Sequence, residues 1–312
     1  PSARFFRYQA ELLTANGEHQ KAAAALERAA DLAPKSGEIF HELGAAYLRL
    51  GRTEDAENAF HRSINLRPGY WFTPDALGRL YFGQGRYDIA ANSFRQVIKC
   101  APRNTVGYNV LGVIQYLQDD LEASRLTFER SVEVDSTENY FALGNLGTLH
   151  FDAARFADAI SAYERALAID DSDYNFWGNL AFAYSFGAEP EKARAQFDRA
   201  IELAEERRAE DPRNQEILSD LAGYYAMVDQ PETSRGLLEQ VIALQPDDPQ
   251  IFGRIGEIYE DLDDRDAALQ WIDRAIVGGI PPRFFESRPM LRDLIADPRY
   301  RELIDDTISV SE

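Results

Sequence analysis

The sequence predicts an all-α protein built as an α-solenoid, an array of about eight helix-turn-helix units closed by a carboxy-terminal helical cap. Two independent series of residues predict it. In the first series, a large aliphatic residue followed by a small one recurs at Leu43-Gly44, Leu77-Gly78, Leu111-Gly112, Leu146-Gly147, Leu180-Ala181, Leu221-Ala222 and Ile255-Gly256. In the second, a bulky residue recurs at Leu26, Phe60, Phe94, Phe128, Tyr163, Phe197, Leu238 and Ile272. Both series keep a spacing of 34 residues that changes once to 35 and once to 41, at the same places. A fixed period of this length is typical of stacked repeats.

The spacing predicts two amphipathic helices in each repeat. In the unit at 37–70, the apolar and small residues follow helical spacing on both sides of the turn "GRTED". Gly44 and Ala56 are small, so we expect the two helices to approach closely there, with Phe60 filling the neighbouring gap. Prolines that cannot continue a helix close several units. They are Pro34, Pro68, Pro102 and Pro246.

These residues resemble the tetratricopeptide repeat, whose landmarks are matched in the second unit. The matching positions are Phe40, Leu43, Gly44, Tyr47, Ala56, Phe60 and Pro68. The resemblance implies a right-handed superhelix over residues 1–282, with units starting near residues 3, 37, 71, 105, 140, 174, 215 and 249. The first unit departs most, because Gln9-Ala10 stands where Leu-Gly is usual.

The period changes at two places. The single extra residue falls in the polar connection "DSTEN", where a loop absorbs it at little cost. Seven extra residues lie between Phe197 and Leu221. Since seven residues make about two helical turns, we expect a lengthened second helix over about 191–210 that protrudes, with charged residues on both sides.

After the eighth unit, "GGIPP" breaks the pattern, and residues 283–312 predict capping helices. Asp297 can cap a helix that begins at Pro298. Together with the lengthened sixth unit, the ending "LRDLIADPRYREL" resembles the repeat arrays attached to bacterial membrane-tethered serine/threonine kinases and winged-helix transcription activators. Because the chain begins at Pro1, we expect it to be a segment of a longer protein.

Composition argues against several partners. The chain has 53 acidic and 33 basic residues, a net charge of -20, and such a surface repels phosphate backbones and anionic lipids. We therefore expect no nucleic-acid partner, and no apolar run is long enough for membrane insertion. A protein partner should be basic or neutral. The single cysteine leaves the compartment open between the cytoplasm, which we favour, and the periplasm if the chain belongs to a membrane-tethered protein.

Catalytic chemistry is not indicated. The four histidines His19, His41, His61 and His150 share no metal-ligand spacing. Cys100 takes a place that is apolar in sister units, and paired aspartates recur at turns, where aspartate bonds its own backbone. The sequence contains no nucleophile elbow, phosphate loop or zinc-protease motif. We predict no catalytic residue, metal or cofactor, and hence no enzyme.

The resemblance places the first helix of each unit on the concave side. The inward positions of the central units then predict a peptide-binding groove, in which rings bury apolar side chains and amides bond an extended main chain. Its residues are Arg79, Phe82, Asn109, Val113, Tyr116, Phe141, Asn145, Thr148, Phe151, Asn175, Asn179, Phe182 and Phe186. No lysine stands at these positions, which argues against the carboxylate clamp of chaperone adaptors.

Two interpretations remain open for the groove residues. Asn145 and Asn179 occupy the sixth position of adjacent units, which resembles the asparagine ladder of protein-glycosylating relatives. Alternatively, asparagine is only tolerated there as a common consensus residue. Similarly, Phe141, Phe151, Phe182 and Phe186 lie off the core spacing and either contact a ligand or pack between units.

The sequence thus predicts a non-catalytic protein-protein interaction scaffold that binds a peptide or helix in its concave groove. The alternative is the sensory or regulatory arm of a kinase or transcription activator whose effector domain is absent. Self-association through the end units also stays open, because Arg4, Phe5, Phe6 and Tyr8 crowd the amino end.

Overall fold

The computed structural model describes residues 1–187 and 189–311, with side chains except those of Pro190 and 305–311. Within this part the secondary structure is helical and no strand occurs. Sixteen helices form eight successive pairs: α1 (Ala3–Ala15) with α2 (His19–Leu32), α3 (Gly37–Arg49) with α4 (Thr53–Leu66), α5 (Phe72–Gly83) with α6 (Tyr87–Cys100), α7 (Thr105–Leu117) with α8 (Leu121–Val134), α9 (Tyr140–Asp152) with α10 (Phe156–Leu167), α11 (Tyr174–Phe186) with α12 (Pro190–Glu210), α13 (Gln215–Met227) with α14 (Pro231–Ala243), and α15 (Pro249–Asp261) with α16 (Arg265–Val277). The fold is the all-α solenoid type that the repeats predict.

The helices group into two compact units. The first comprises Pro1–Ser136, with α1 to α8, and the second Thr137–Glu312, with α9 and all later helices. In each unit, the second helix of one hairpin contacts the first helix of the next, except that the last two hairpins meet mainly through their first helices, α13 and α15.

The turns inside the hairpins explain the recurring glycines and aspartates. Gly17, Gly51 and Gly85 adopt positive φ after α1, α3 and α5, a conformation that costs glycine nothing. Asp119 and Asp263 take the same conformation in later hairpins. The aspartate that follows each of them caps the next helix. Paired aspartates at these two turns therefore serve the backbone.

Small residues set the contact between the two helices of a hairpin. A Cβ atom added to Gly44 would lie 2.6 Å from the ring of Phe60 in the same hairpin. Gly147 stands in the same relation to the Tyr163 ring, also at 2.6 Å. Phe60 therefore packs directly onto Gly44 within its own hairpin, whereas we expected it to fill the gap beside that contact. The equivalent pairs are Gly78 with Phe94 and Gly112 with Phe128.

Neighbouring hairpins of the second unit also meet at glycines. Gly144 on α9 faces the ring of Phe176 on α11, and Gly178 on α11 faces Tyr224 on α13, each too closely for a side chain. This close approach of first helices brings the residues that line their inner face together. Next to Gly178, Trp177 is half-buried, and its Nε1 donates to the Asp171 backbone carbonyl at 2.8 Å.

The last segments cover the end of the second unit. Short helices α17 (Pro282–Glu286) and α18 (Arg292–Ile295) flank a 3-10 turn at Pro289–Leu291, and α19 spans Pro298–Ser311. Phe285, Leu291 and Tyr300 are buried against α16. The Tyr300 hydroxyl donates to the Pro282 carbonyl at 3.1 Å, which ties α19 to the start of the segment.

Candidate functional site

The second unit contains a cavity of about 350 Å³ on the inner side of its first helices. We call it the carboxy-terminal cavity. Helices α9, α11, α13 and α15 contribute its walls, and the segment at Arg288 closes one side. Its lining residues are Thr148, Phe151, Tyr163, Asn175, Asn179, Phe182, Ser219, Asp220, Gly223, Tyr224, Arg254, Glu257, Ile258, Asp261, Arg288 and Met290.

The cavity brings together part of the predicted groove. Five of the eight predicted residues in the second unit line it: Thr148, Phe151, Asn175, Asn179 and Phe182. The Asn179 side chain makes no hydrogen bond to a described residue, so its amide is available to a ligand. The Thr148 and Tyr163 hydroxyls form a hydrogen bond of 3.0 Å.

The other three predicted residues of this unit lie outside the cavity lining. The Asn145 side chain donates to the Phe141 carbonyl of its own helix at 2.8 Å, so its amide donor is already engaged. Phe141 itself is 40% exposed. The two asparagines at equivalent positions are therefore in different states, with Asn179 open to the cavity and Asn145 bonded to its helix.

Phe186 belongs to a packing cluster. Its ring lies 5.7 Å from that of Phe151 and 5.9 Å from that of Phe156. Phe151 is only 5% exposed, so it presents little of its ring to a ligand. Phe182 is different, because it is half-buried and packs edge-on against Phe197, 5.1 Å between ring centroids. Of the predicted aromatics lining the cavity, Phe182 offers the more accessible ring.

The predicted groove residues of the first unit lie on α5 and α7. Arg79 is exposed and pairs with Asp75 of its own helix at 3.0 Å. Phe82 is half-buried beside Tyr87, and the side-chain Oδ1 of Asn109 accepts a hydrogen bond from the Ser131 hydroxyl. Val113 and Tyr116 are half-buried.

The charged residues of the carboxy-terminal cavity are not among the predicted groove residues. Applied to units seven and eight, the inward positions used for the central units include Ser219, Asp220, Arg254, Glu257 and Asp261. The repeat spacing was therefore sufficient to identify these five residues. Arg288 lies in the capping segment, outside any repeat, and periodicity could not have found it.

An ion pair links two walls of the cavity. The Arg254 Nη1 lies 2.6 Å from the Asp220 Oδ1, and the Tyr174 hydroxyl donates to Asp220 Oδ2 at 3.0 Å. Both oxygens of Asp220 are thus engaged. Burial raises the pKa of the Asp220 carboxyl, while the positive charge of Arg254 opposes the rise.

Asp261 is in a different position from Asp220. Burial, followed by the negative charges of Glu257 and Glu260, raises the pKa of the Asp261 carboxyl to about 7. Glu257 lies 3.7 Å from the Arg288 Nε. Within the described part of the chain, Asp261 makes no hydrogen bond or ion pair.

The first unit has a cavity of its own, of about 730 Å³, between α1 and α3. Arg7 crosses it and pairs with Glu38 at 2.9 Å and with Glu42 at 2.5 Å. Glu38 and Glu42 therefore share the Arg7 guanidinium as their partner. Ala45 and Ala46 make much of the remaining wall apolar.

Two kinds of feature do not occur among the described residues. No group of three or more His, Cys, Asp or Glu side chains is arranged to hold a metal ion. Nor does any described helix combine the length and the apolar character needed to cross a membrane.

Comparison with known families identifies the repeats. Four models, each described as a tetratricopeptide repeat, match the chain. The first matches residues 13–71 and 193–253, and the second residues 76–139 and 228–282. The third and fourth match residues 142–169 and 174–207. All four describe a repeat rather than an enzyme.

Solved structures share this fold at low sequence identity. A tetratricopeptide repeat protein from Parabacteroides merdae has a TM-score of 0.56 and 15% identity, over 87% of this chain and 98% of that chain. The carboxy-terminal part of a repeat protein from Cytophaga hutchinsonii gives 0.56 and 15%, over 80% and 98%. The Cut9–Hcn1 hetero-tetramer of APC/C gives 0.59 and 16%, over 81% of this chain and 48% of that chain. A comparison with curated proteins finds no significant match.

Proposed function

Since the chain belongs to the tetratricopeptide repeat family, we propose that it is a non-catalytic protein-protein interaction module that binds an extended or helical segment of a partner in the carboxy-terminal cavity. One observation carries this proposal. Equivalent inward positions of four successive first helices line a single cavity of about 350 Å³. A concave cavity in which several polar groups converge beside apolar surface is a common form of binding site.

The chemistry of the walls suits a polypeptide ligand. The Asn179 amide can donate to and accept from a main chain, and the Phe182 ring offers apolar area for a side chain. Asn175 is exposed beside them. Because α11 carries all three residues, a ligand that contacts them would follow this helix.

Selection from a display library of random 12-residue peptides, followed by calorimetric titration of the selected peptides, tests the proposal. We expect Asn179→Ala and Phe182→Ala to weaken binding about tenfold, which is in the range for loss of a hydrogen bond or an aromatic contact. Asn145→Ala is the matched control, because its amide is bonded within α9. Peptides that bind equally well to all of these variants would contradict the assignment.

The acidic surface supports a basic or neutral partner. With a net charge of -20, the chain attracts positively charged segments over distances of about 10 Å at 0.1 M salt. The association rate should therefore fall as the salt concentration rises, and stopped-flow mixing at several salt concentrations measures this.

The regulatory-arm alternative stays a prediction, which the neighbouring coding sequence tests. A kinase signature, or a winged helix followed by an apolar membrane span, upstream of Pro1 would favour it. In that case the same cavity would be the input site of a larger signalling protein.

Self-association has its own structural support. Phe5, Tyr8 and Leu12 are 53%, 53% and 68% exposed, and their spacing places them on one face of α1. Clustered exposed apolar side chains favour a protein contact. We include a homodimer through the amino-terminal unit in the proposal.

A further inference from the structure

We propose that the carboxy-terminal cavity is a pocket for one basic side chain, lysine or arginine, of the partner segment, with the Asp261 carboxylate as its counter-ion. This inference rests on the proposed function, because it names the residue class by which the cavity recognises a peptide.

The charges of the cavity lining support the choice of a cation. Three carboxylates line the cavity, and two guanidinium groups accompany them. Asp220 is bonded to Arg254 at 2.6 Å and to Tyr174 at 3.0 Å. The remaining guanidinium is that of Arg288, which faces Glu257.

Asp261 is left without a partner among the described residues. Asp261 is half-buried, and a carboxylate that has lost part of its hydration gains most from a charged partner, so an incoming ammonium or guanidinium group would supply one. The lining holds one more carboxylate than guanidinium groups, and one cation balances it.

The shape of the cavity favours a side chain over an inorganic ion. Phe182, Ile258 and Met290 form apolar wall beside the charged groups. Lysine and arginine bury their methylene stems against such surface while the charged end reaches a polar group. Calcium and magnesium instead need six or more oxygen ligands or retained water, and the described residues offer no such group.

Ionisation of Asp261 should be coupled to binding of the cation, and this coupling can be measured. Asp261 has a pKa of about 7, and a bound cation stabilises its ionised form. Binding should therefore release a proton, and affinity should rise with pH up to about 7 and level off above it. The charged and titratable groups that line the cavity with it are Tyr163, Asp220, Tyr224, Arg254, Glu257 and Arg288, and Glu260 adds its charge from α15.

A pair of small probes tests the pocket without any selected peptide. N-acetyl-lysine-methylamide carries the ammonium group, and N-acetyl-norleucine-methylamide has the same apolar stem without it. Carbon-13 NMR of the aspartate carboxyl groups follows Asp261 during a pH titration with each probe. We expect the lysine probe to lower the titration midpoint of Asp261 and the norleucine probe to leave it unchanged.

Two variants separate the pocket from general charge attraction. Asp261→Asn should weaken binding of the lysine probe at pH 8 at least fivefold. Asp247→Asn removes the same charge from an exposed position outside the cavity, and it should change binding less than twofold. Equal binding of the two probes, or lysine binding unaffected by Asp261→Asn, would overturn the inference.

The selected peptides distinguish failure of the inference from failure of the proposed function. Peptides that need Asn179 and Phe182, but tolerate replacement of every lysine and arginine by norleucine, would support the groove and refute the basic pocket. If the library yields no binder, the proposed function fails, while the probe titrations still decide whether the pocket takes a basic side chain.

Discussion

The guanidinium of Arg254 lies 2.6 Å from the carboxylate of Asp220, so an ion pair joins α15 to α13 beside the cavity. The side chain of Asp220 is 12% exposed and that of Arg254 39%. Removing Arg254 leaves the Asp220 carboxylate largely buried without its partner, and this is the costly way to break such a pair.

Arg254→Ala should therefore destabilise the second unit by about 2 kcal/mol, less than for a fully buried pair because water reaches part of the guanidinium. Urea unfolding measures the change. Arg199→Ala removes an exposed partner of Glu202 in α12 and should leave the free energy of unfolding almost unchanged, because solvent screens exposed ion pairs. Equal costs for the two variants would show that burial does not strengthen the Arg254 pair.

Gly44→Ala should destabilise the first unit by about 2 kcal/mol, because the added methyl group would lie 2.6 Å from the Phe60 ring and force a shift in a packed core. Gly236→Ala in α14 is the matched control, since nothing lies within 4 Å of its added Cβ. It should stabilise by about 0.5–1 kcal/mol through helix propensity. Thermal unfolding of both variants checks the prediction, and a gain in stability at Gly44 would contradict the close contact.

Asp261→Asn should stabilise the free protein at pH 8 and have little effect near pH 4. The pKa of this carboxyl rises from 3.8 to about 7 on folding, so the folded chain binds the proton more tightly than the unfolded chain does. The stability of the native protein consequently falls as pH rises between these two values, and the full cost is present above about pH 7.

This rise of the pKa sets an upper limit of ~4 kcal/mol on the increase in the free energy of unfolding that Asp261→Asn can give. We expect about 2 kcal/mol, because the asparagine amide also lacks a partner. Urea unfolding at pH 4, 6 and 8 gives the profile. A difference between variant and native protein that is the same at all three pH values would show that Asp261 ionises normally.

Replacing Tyr8 and Leu12 by glutamate should abolish self-association without unfolding the first unit, because both side chains are more than half exposed. Multi-angle light scattering over a range of protein concentrations reports the mass. The same double replacement at Leu126 and Val277, which are 51% and 70% exposed, controls for general surface hydrophobicity. A native protein that remains monomeric at high concentration would refute the dimer.

The sequence was sufficient for the fold because its information is local and repeated. Each unit carries its own helix spacing and turn residues, and each buries its apolar face only by stacking on the next. The turn at Asp119 and the close approach of two helices at Gly44 follow from such short-range patterns. The placement of Phe60 in the neighbouring gap was wrong, since its ring packs onto Gly44 within its own hairpin, and spacing alone does not give the direction of a ring.

The site was less predictable. Periodicity identified Asn179 and Phe182, and the same positions in later units would have added Asp220, Arg254 and Asp261. Periodicity did not show that Asn145 bonds to its own helix while Asn179 stays open, since both occupy the same position of a repeat. Rotamers of equivalent residues depend on neighbours that differ from unit to unit.

By itself, the sequence determined the solenoid of helical hairpins, its family and its acidic surface, because these depend on periodic residues and on composition. Only the tertiary structure decided which polar side chains meet. It joined Asp220 to Arg254, which are 34 positions apart on different helices, and among the residues that the structure describes it left Asp261 without a partner beside them. Pairing and burial of charge depend on distances across helices, and no spacing along the chain contains those distances.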